Sequence, residues 1–505
     1  MLKRPFHKTL IFLHKWLGVV LALLFAMWFI SGVVLYFAPF PELTQSERLA
    51  GLSPLQLSKG CCMTAEQASG NAGLKISEAR LGMHEGRAVW RLLGKPANDA
   101  LAAPQWRAVD AQSGQILPVL SAASARKVAE AFSGKKALAA ELLERDQWTV
   151  PQGLNPYRPL QRIQMDDPEG LELYVSPTSA EVVRDTRRAE RFWNWLGAVP
   201  HWIYFTELRR YPDAWHNVIV WLAIPGVILA VTGTVLGVWH LFLNRARWIP
   251  YRQWWMRWHH ITGLGAAIVT LTWIFSGLLS MNPFKVFSPR SALHSEHQAW
   301  VGVKTKALLK PDQAFDFSQV PSAKEIDLIQ VAGQSWYRIR SESAQVLVRA
   351  DIPLAGIEEP AINALPDETL KTSLLALRPA ATAIGTVTLT RLVAYDDHYY
   401  ARTVTSNTRY TRPLPVWRAQ WADGVTIYAD PTSGRLLLRG DASNRWERVL
   451  YGGLHSFDFA PLLARPLLRD ALILIFSLLG TALCFTSCVI AWRVLVPRKR
   501  RRHSA

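Results

Sequence analysis

The chain has 505 residues, half of them hydrophobic, and a formal net charge of +18. That length exceeds one ordinary domain and the apolar share excludes a disordered chain. A mean hydropathy of only +0.07 excludes a transporter built of membrane helices throughout, and four cysteines are too few for a disulfide scaffold.

In chain order, residues 1–38 hold a basic start, MLKRPFHK, and an apolar run, Leu17–Phe37. The run reaches the roughly 20 residues that a bilayer crossing needs. It is too long for a signal-peptide core, and LYFAPF has no small-x-small cleavage site, so it reads as a retained anchor. A first outer segment follows over 39–212. The second span occupies 213–243, with its apolar run at Val218–Leu243. A short loop covers 244–258, the third span 259–281 (Ile261–Met281), and a second outer segment 282–467. The fourth span lies in 468–496 (Ala471–Val496), and 497–505 is a basic tail.

Positive charge clusters beside the spans. Lys3, Arg4, Lys8 and Lys15 precede the first, Arg245, Arg247, Arg252 and Arg257 join the second to the third, and Arg493, Arg498, Lys499, Arg500, Arg501 and Arg502 follow the fourth. No Asp or Glu interrupts them. The positive-inside rule then puts both termini and the middle loop in the cytoplasm and both outer segments across the membrane. These residues account for most of the net charge, so the basic balance reflects topology, and nucleic-acid binding explains it poorly. The RKRRR tail reads as an anchor at anionic lipid.

The chain also repeats itself. LHKWLGVVLALLFAMWFISG in the first span aligns with WHHITGLGAAIVTLTWIFSG in the third, placing His14 on His259, Trp28 on Trp273, Ser31 on Ser276 and Gly32 on Gly277. Farther along, LELYVSPTSAEVV aligns with VTIYADPTSGRLL, and His201 falls on His455. Each half reads as span, outer domain, span. Both halves enter the membrane in the same direction, which predicts a tandem duplication with a parallel pseudo-twofold along the membrane normal. In the outer segments RAVWRLLG, QWRAVDAQSGQI, SWYRIR, AQVLVRA and both aligned stretches alternate apolar and polar residues, as strands do. Asp110 to Gly114 and Asp430 to Gly434 read as turns, with Asp capping and Gly supplying positive φ. SARKVAEAFS reads as a helix. The expected architecture is an α-helical four-span membrane bundle carrying two α+β domains.

Together, LHKWLG…SG, YDDHYY…RPLPVWRAQWADGVTIYADPTSGRLL and LHSFDF resemble the PepSY-associated transmembrane family over nearly the whole chain. The resemblance implies four spans and two periplasmic PepSY-like domains in a bacterial inner membrane. It also implies a link to iron uptake, the best-known role being a ferric-siderophore reductase with b-type haem. The first half departs from the pattern, with Arg145 to Trp148 (RDQW) where the second has Tyr395 to Tyr400 (YDDHYY). Equal function of the two outer domains is therefore not expected.

Seven of the 13 histidines sit at or near span ends. His14, His240, His259 and His260 lie on the expected cytoplasmic side; His201, His216 and His455 lie on the other. Ionisable groups inside spans are costly and default to function, and neutral imidazole is the usual protein ligand of haem iron. No Cys-x-x-Cys-His offers covalent attachment. The repeat suggests two b-type haems, one held by His14 and His259 and one by His201 and His455. His240 is the alternative ligand for the first and His216 for the second. His260 lies about 100° round the helix from His259, so the two cannot share one iron. Gly18, Gly263, Gly226 and Gly480 offer room for a flat macrocycle or for helix packing. His7 and His503 read as solvated.

Other signals are weaker. Cys61-Cys62 is a vicinal disulfide or a surface oddity, and Cys484 and Cys488 read as packing residues. His294-x-x-His297 with Glu296 reads as a solvated loop with a lesser claim to metal. Tyr395, Asp396, Asp397, His398, Tyr399 and Tyr400 form a polar-aromatic cluster, either a chelate or haem-edge contact or ordinary strand-end packing. No dinucleotide fingerprint or hydrolase spacing is present. The expected activity is electron transfer across the membrane to a periplasmic ferric chelate. The expected donor is a quinol or a separate cytoplasmic reductase. The rival is a non-redox binding or regulatory membrane protein; a chelate transporter would need more mid-span polar residues.

Overall fold

Among the described residues of the computed structural model, four helices are long and apolar enough to cross a membrane: Pro5–Phe37, Pro212–Phe242, Trp254–Ser280 and Pro466–Leu495. The structure describes residues 4–58, 60–243, 249–304, 306–320, 322–354, 361–401 and 412–496. Each helix starts earlier than the apolar run that announces it. Once nucleated, the hydrogen-bond ladder propagates through flanking polar residues. The second and fourth helices start at proline, whose fixed φ suits a first turn and whose missing N–H costs nothing there. The first runs Arg4–Phe37, 34 residues, or about 50 Å, so its ends project beyond a hydrocarbon layer of about 30 Å.

The first and third spans each pack against the second and the fourth, so they face each other across the centre of the bundle. Leu21, Phe25, Phe29, Ala223, Ala230, Ile274 and Cys484 fill that centre. The span starts and ends alternate. One end of the bundle therefore carries the basic segments, and the other carries the sheets.

Among the described residues, three antiparallel sheets stand at that second end. Strands β1 (Leu74–His84), β2 (Arg87–Pro96) and β3 (Gln105–Asp110) form one meander. β4 (Ala137–Leu143), β5 (Leu160–Met165), β6 (Glu172–Ser176) and β7 (Glu181–Thr186) form a sheet in chain order, covered by the helix Ala122–Ser133. In the second segment β8 (Glu325–Val331), β9 (Gln334–Arg340) and β10 (Gln345–Arg349) form a second meander. β11 (Val387–Leu392), β12 (Val416–Trp421), β13 (Thr426–Asp430) and β14 (Arg435–Gly440) form the other four-stranded sheet.

The two outer segments, expected as two domains, share structure. β1 pairs with β8, Arg80 opposite Asp327 and Leu81 opposite Ile326, giving one six-stranded sheet in the order β10-β9-β8-β1-β2-β3. Each meander alone would present an unpaired edge. Joining them satisfies both edges and buries Leu81, Trp90, Ile326 and Ile339 in one core.

The seam also carries charge. Arg48 donates to both oxygens of Glu325, at 3.0 and 2.5 Å, and Arg340 donates to the same carboxylate. Arg80 reaches Glu181 at 2.9 Å and Glu325 at 3.6 Å. Arg338 donates to Asp327. Burial alone would raise the Glu325 carboxyl, but Arg48, Arg80 and Arg340 reverse this and hold it far below the usual carboxylate range.

Both expected turns are present. Asp110 accepts from the N–H groups of Gln112 and Ser113, and Asp430 from that of Thr432. Gly434 has φ +64, and a Cβ there would stand 2.7 Å from Ile329 Cγ2. Ala180, at the matching turn of the first half, carries its methyl at φ +54. Gly434→Ala is expected to destabilise the outer region by about 1–3 kcal/mol, from left-handed strain plus overpacking. An unchanged melting midpoint would refute this.

Candidate functional site

Two histidine pairs meet inside the bundle. His14 on the first span and His259 on the third have ring centres 6.2 Å apart. His201, ending the short helix Ala198–His201, and His455, in the turn Leu454–Ser456, have ring centres 6.3 Å apart. A direct N–H···N bond of about 2.9 Å would bring such rings to about 5.2 Å, so both pairs are held about 1 Å wider than a hydrogen-bonded pair.

Every one of the four rings is fixed through Nδ1. His14 Nδ1 lies 3.3 Å from the Leu229 carbonyl oxygen, to which it can only donate. His259 Nδ1 lies 3.3 Å from both the Thr486 and Ser487 hydroxyls. His201 Nδ1 meets the Ser31 hydroxyl and the Trp28 carbonyl, each at 3.2 Å, and His455 Nδ1 meets the Ser276 hydroxyl at 3.0 Å. Ser31 and Ser276 are matched positions of the repeat. Each hydroxyl also donates to a carbonyl one turn back, Trp28 or Trp273, as serine does inside helices. Trp28 Nε1 further donates to the His201 carbonyl at 3.1 Å, tying the first span to the histidine turn.

Glycines make room for the rings. A Cβ at Gly233 would stand 2.6 Å from His14 Cε1, and one at Gly32 would stand 3.1 Å from His201 Cε1. Gly277 lies against His455 at 3.6 Å. These differ from the glycines expected to flank the rings. Gly18 faces Leu229, Gly263 faces Leu483, Gly226 faces Ile274 and Phe25, and Gly480 faces Phe29, so all four serve helix packing. The difference arises because the imidazoles sit against neighbouring helices, and the sequence does not state which helices are neighbours.

Ser31 is seventeen residues beyond His14, and Ser276 seventeen beyond His259. At 1.5 Å per residue the pairs stand about 25 Å apart along the bundle. Aromatic rings lie between them, with Phe29 and Trp273 at 5.6 Å and Phe25 and Trp28 at 6.0 Å.

The other expected ligands go elsewhere. The His240 ring lies 5.9 Å from His7, and its Nδ1 is 3.3 Å from the Tyr251 hydroxyl. His260 is buried with its ring 5.5 Å from Tyr251. His216 is partly buried on the second span and belongs to neither ring pair. His7, read as solvated, packs instead on Trp239 with ring centres 4.9 Å apart; it lies within the first helix, which continues beyond its apolar run. His503 lies outside the described residues.

The weaker signals resolve into structure. Cys61 and Cys62 are disulfide-bonded, and both are buried. Cys484 and Cys488 are free thiols. His294 to His297 lies on the helix His294–Val301, where buried Glu296 pairs with Arg439. No group of three or more His, Cys, Asp or Glu side chains suited to a metal ion occurs among the described residues. In the polar-aromatic cluster, Asp396 accepts from the N–H groups of His398 and Tyr399, from the Tyr428 hydroxyl and from Arg418. Burial opposes ionisation there, but these donors hold the carboxyl below its ordinary value. Asp146 takes equivalent bonds from Trp148, Thr149 and Tyr174 in the first half. The cluster therefore fastens a turn to a sheet in both halves.

A polar chain missed at sequence level joins the end of the first span to the start of the fourth. Tyr36 donates to Asp470 at 2.5 Å, Arg469 donates to Tyr36 at 3.1 Å, and Arg469 reaches Asp458 at 3.8 Å. The signal for it was Arg469-Asp470 at the start of an apolar run.

The family model of the PepSY-associated TM region matches residues 12–494. The chain belongs to that family. Comparison with curated proteins gives no match. Membership and the four apolar helices make this PepSY-associated protein a multi-pass membrane protein with sheet-bearing regions outside the spans.

Proposed function

We propose that this PepSY-associated protein binds two b-type haems and passes electrons along its bundle to a ferric chelate outside the membrane. The observation that carries this reading is the spacing of the rings. Two imidazoles ligating one iron from opposite sides need about 2 Å per bond plus about 1.1 Å from nitrogen to ring centre, about 6.2 Å in total. The pairs stand at 6.2 and 6.3 Å. Anchored Nδ1 atoms support it further, because ligating histidines donate their second nitrogen to a fixed acceptor, which selects Nε2 for the metal.

Bound haem supplies reversible one-electron chemistry; the protein supplies ligation, orientation and insulation. His14 and His259 hold the site at the basic end, and His201 and His455 hold the one below the sheets. Leu21, Phe25, Phe29 and Ile274 exclude water between them. The basic segments support a cytoplasmic placement of both termini in a bacterial inner membrane, with the sheets in the periplasm. The matched Ser31–His201 and Ser276–His455 contacts support a tandem duplication with a parallel pseudo-twofold. A ferric chelate such as a siderophore, docked at the sheet end, would gain one electron, and the resulting Fe(II) is held less firmly by hard oxygen donors.

The test is the visible spectrum of the detergent-purified chain, expressed with ample haem, before and after dithionite. Two b-type haems per chain with low-spin bis-imidazole signatures are expected. A colourless, folded protein would overturn the reading and favour a binding or regulatory role.

A further inference from the structure

The basic end of the bundle carries a second group of ionisable side chains, separate from the His14–His259 pair. His7 comes from the first span, His240 from the end of the second, Tyr251 from the segment before the third, and His260 from the third. Their rings form a continuous row, with 5.9 Å from His7 to His240, 5.8 Å from His240 to Tyr251 and 5.5 Å from Tyr251 to His260. The Tyr251 hydroxyl meets His240 Nδ1 at 3.3 Å. Nε2 of His7 is buried and has no hydrogen-bond partner among the described residues. The row ends at His260, next in sequence to His259.

The row occurs once. By the same alignments Lys15 stands at the position of His260, Arg252 at that of His7 and Val494 at that of His240. A feature needed only to hold the duplicated fold would be expected twice. Close to the row along the chain, Phe6, Phe242, Trp254 and Trp258 are exposed, as aromatic residues at a membrane interface are. Hydrogen-bonding rings at the end of an apolar bundle suit an amphiphilic aromatic diol that arrives through the membrane.

We infer that His7, His240 and Tyr251 bind the head group of a membrane quinol and take up its protons. The inference rests on the proposed electron-transfer function and supplies its donor. Oxidising a quinol to the quinone breaks two O–H bonds and releases two protons and two electrons. His7 and His240 accept the protons. The electrons leave one at a time; a b-type haem held by the neighbouring His14–His259 pair would take one, pass it along the bundle to the ferric chelate of the proposed function, and so be ferric again for the second, two ferric chelates being reduced per quinol.

The test uses the full chain in lipid nanodiscs and an azido-substituted decylquinone as photoprobe, with labelled peptides mapped by mass spectrometry. Label is expected on peptides containing His7, His240 or Tyr251, and excess unlabelled decylquinone should compete it away. Tyr251→Phe, which removes only a hydroxyl, and His240→Leu should each weaken labelling about tenfold, the effect of losing one hydrogen bond to a buried group. Their haem content should stay that of the wild type. Label elsewhere, label that excess quinone does not displace, or equal labelling in both variants would overturn the inference. A colourless wild type that still labels at these peptides would remove the electron-transfer reading and keep the quinol site. A haem-loaded protein that does not label would do the reverse.

Discussion

His259→Ala is expected to remove one of two b-type haems and leave the other, and His455→Ala to remove the second and leave the first. If these histidines hold haem as proposed, a lost imidazole would have no ready substitute in a water-poor bundle. The two pairs are about 25 Å apart by helix rise, far enough for their losses to be independent. Haem per chain should fall by half in each variant. The low-spin resonance of the surviving pair should persist, and the double variant should be colourless. Ser276→Ala, which deletes the Nδ1 partner of His455, should weaken retention of that haem by about 10–100-fold without touching the other. Full haem content in both single variants, with the helices intact by circular dichroism, would sink the assignment of these ligands.

Glu325→Gln is expected to destabilise the outer region by about 3–5 kcal/mol, because it leaves Arg48, Arg80 and Arg340 beside a neutral group in a buried seam. The Glu325 side chain is 1% exposed, so water cannot take over the screening. The pH dependence has a definite sign. The folded-state carboxyl is held well below the unfolded value of about 4.3. Its stabilising contribution is therefore complete above that value and is lost as pH falls below it toward the folded one. Thermal melting followed by tryptophan fluorescence should show a much lower midpoint at pH 7 in the variant. The gap should narrow on acidification. Equal midpoints at pH 7 would show that the seam does not depend on this charge.

Much of the molecule was legible in the order of its residues. The four spans follow from apolar length, because a bilayer demands a run of fixed size. The strands at RAVWRLLG, SWYRIR and GVTIYADPTSGRLLL follow from alternation, and the turns at Asp110 and Asp430 from side chains that cap their own backbone. β4 was not legible. ALAAELL is made of good helix formers and becomes a strand only because β5 offers it a ladder, Leu143 opposite Leu160. The pairing of β1 with β8 was equally hidden, since nothing local marks which two edges, more than 200 residues apart, will meet.

The histidines divide in the same way. The repeat alone proposed His14 with His259 and His201 with His455, because equivalent positions in a parallel duplication share a depth. It could not tell which of the histidines at one depth would pair, since depth is not direction. The tertiary structure turned His240 and His260 toward Tyr251 and His7, and it named Ser31, Ser276, Thr486, Ser487 and Gly233 as the residues that fix or admit the paired rings. By itself the sequence determined what is periodic or local: where the spans lie, charge asymmetry, strand alternation and the matched halves. Only the tertiary structure decided which helices are neighbours, which sheet edges join and which way each imidazole faces. Those depend on packing between distant segments, where a contact is set by shape and desolvation and leaves no pattern along the chain.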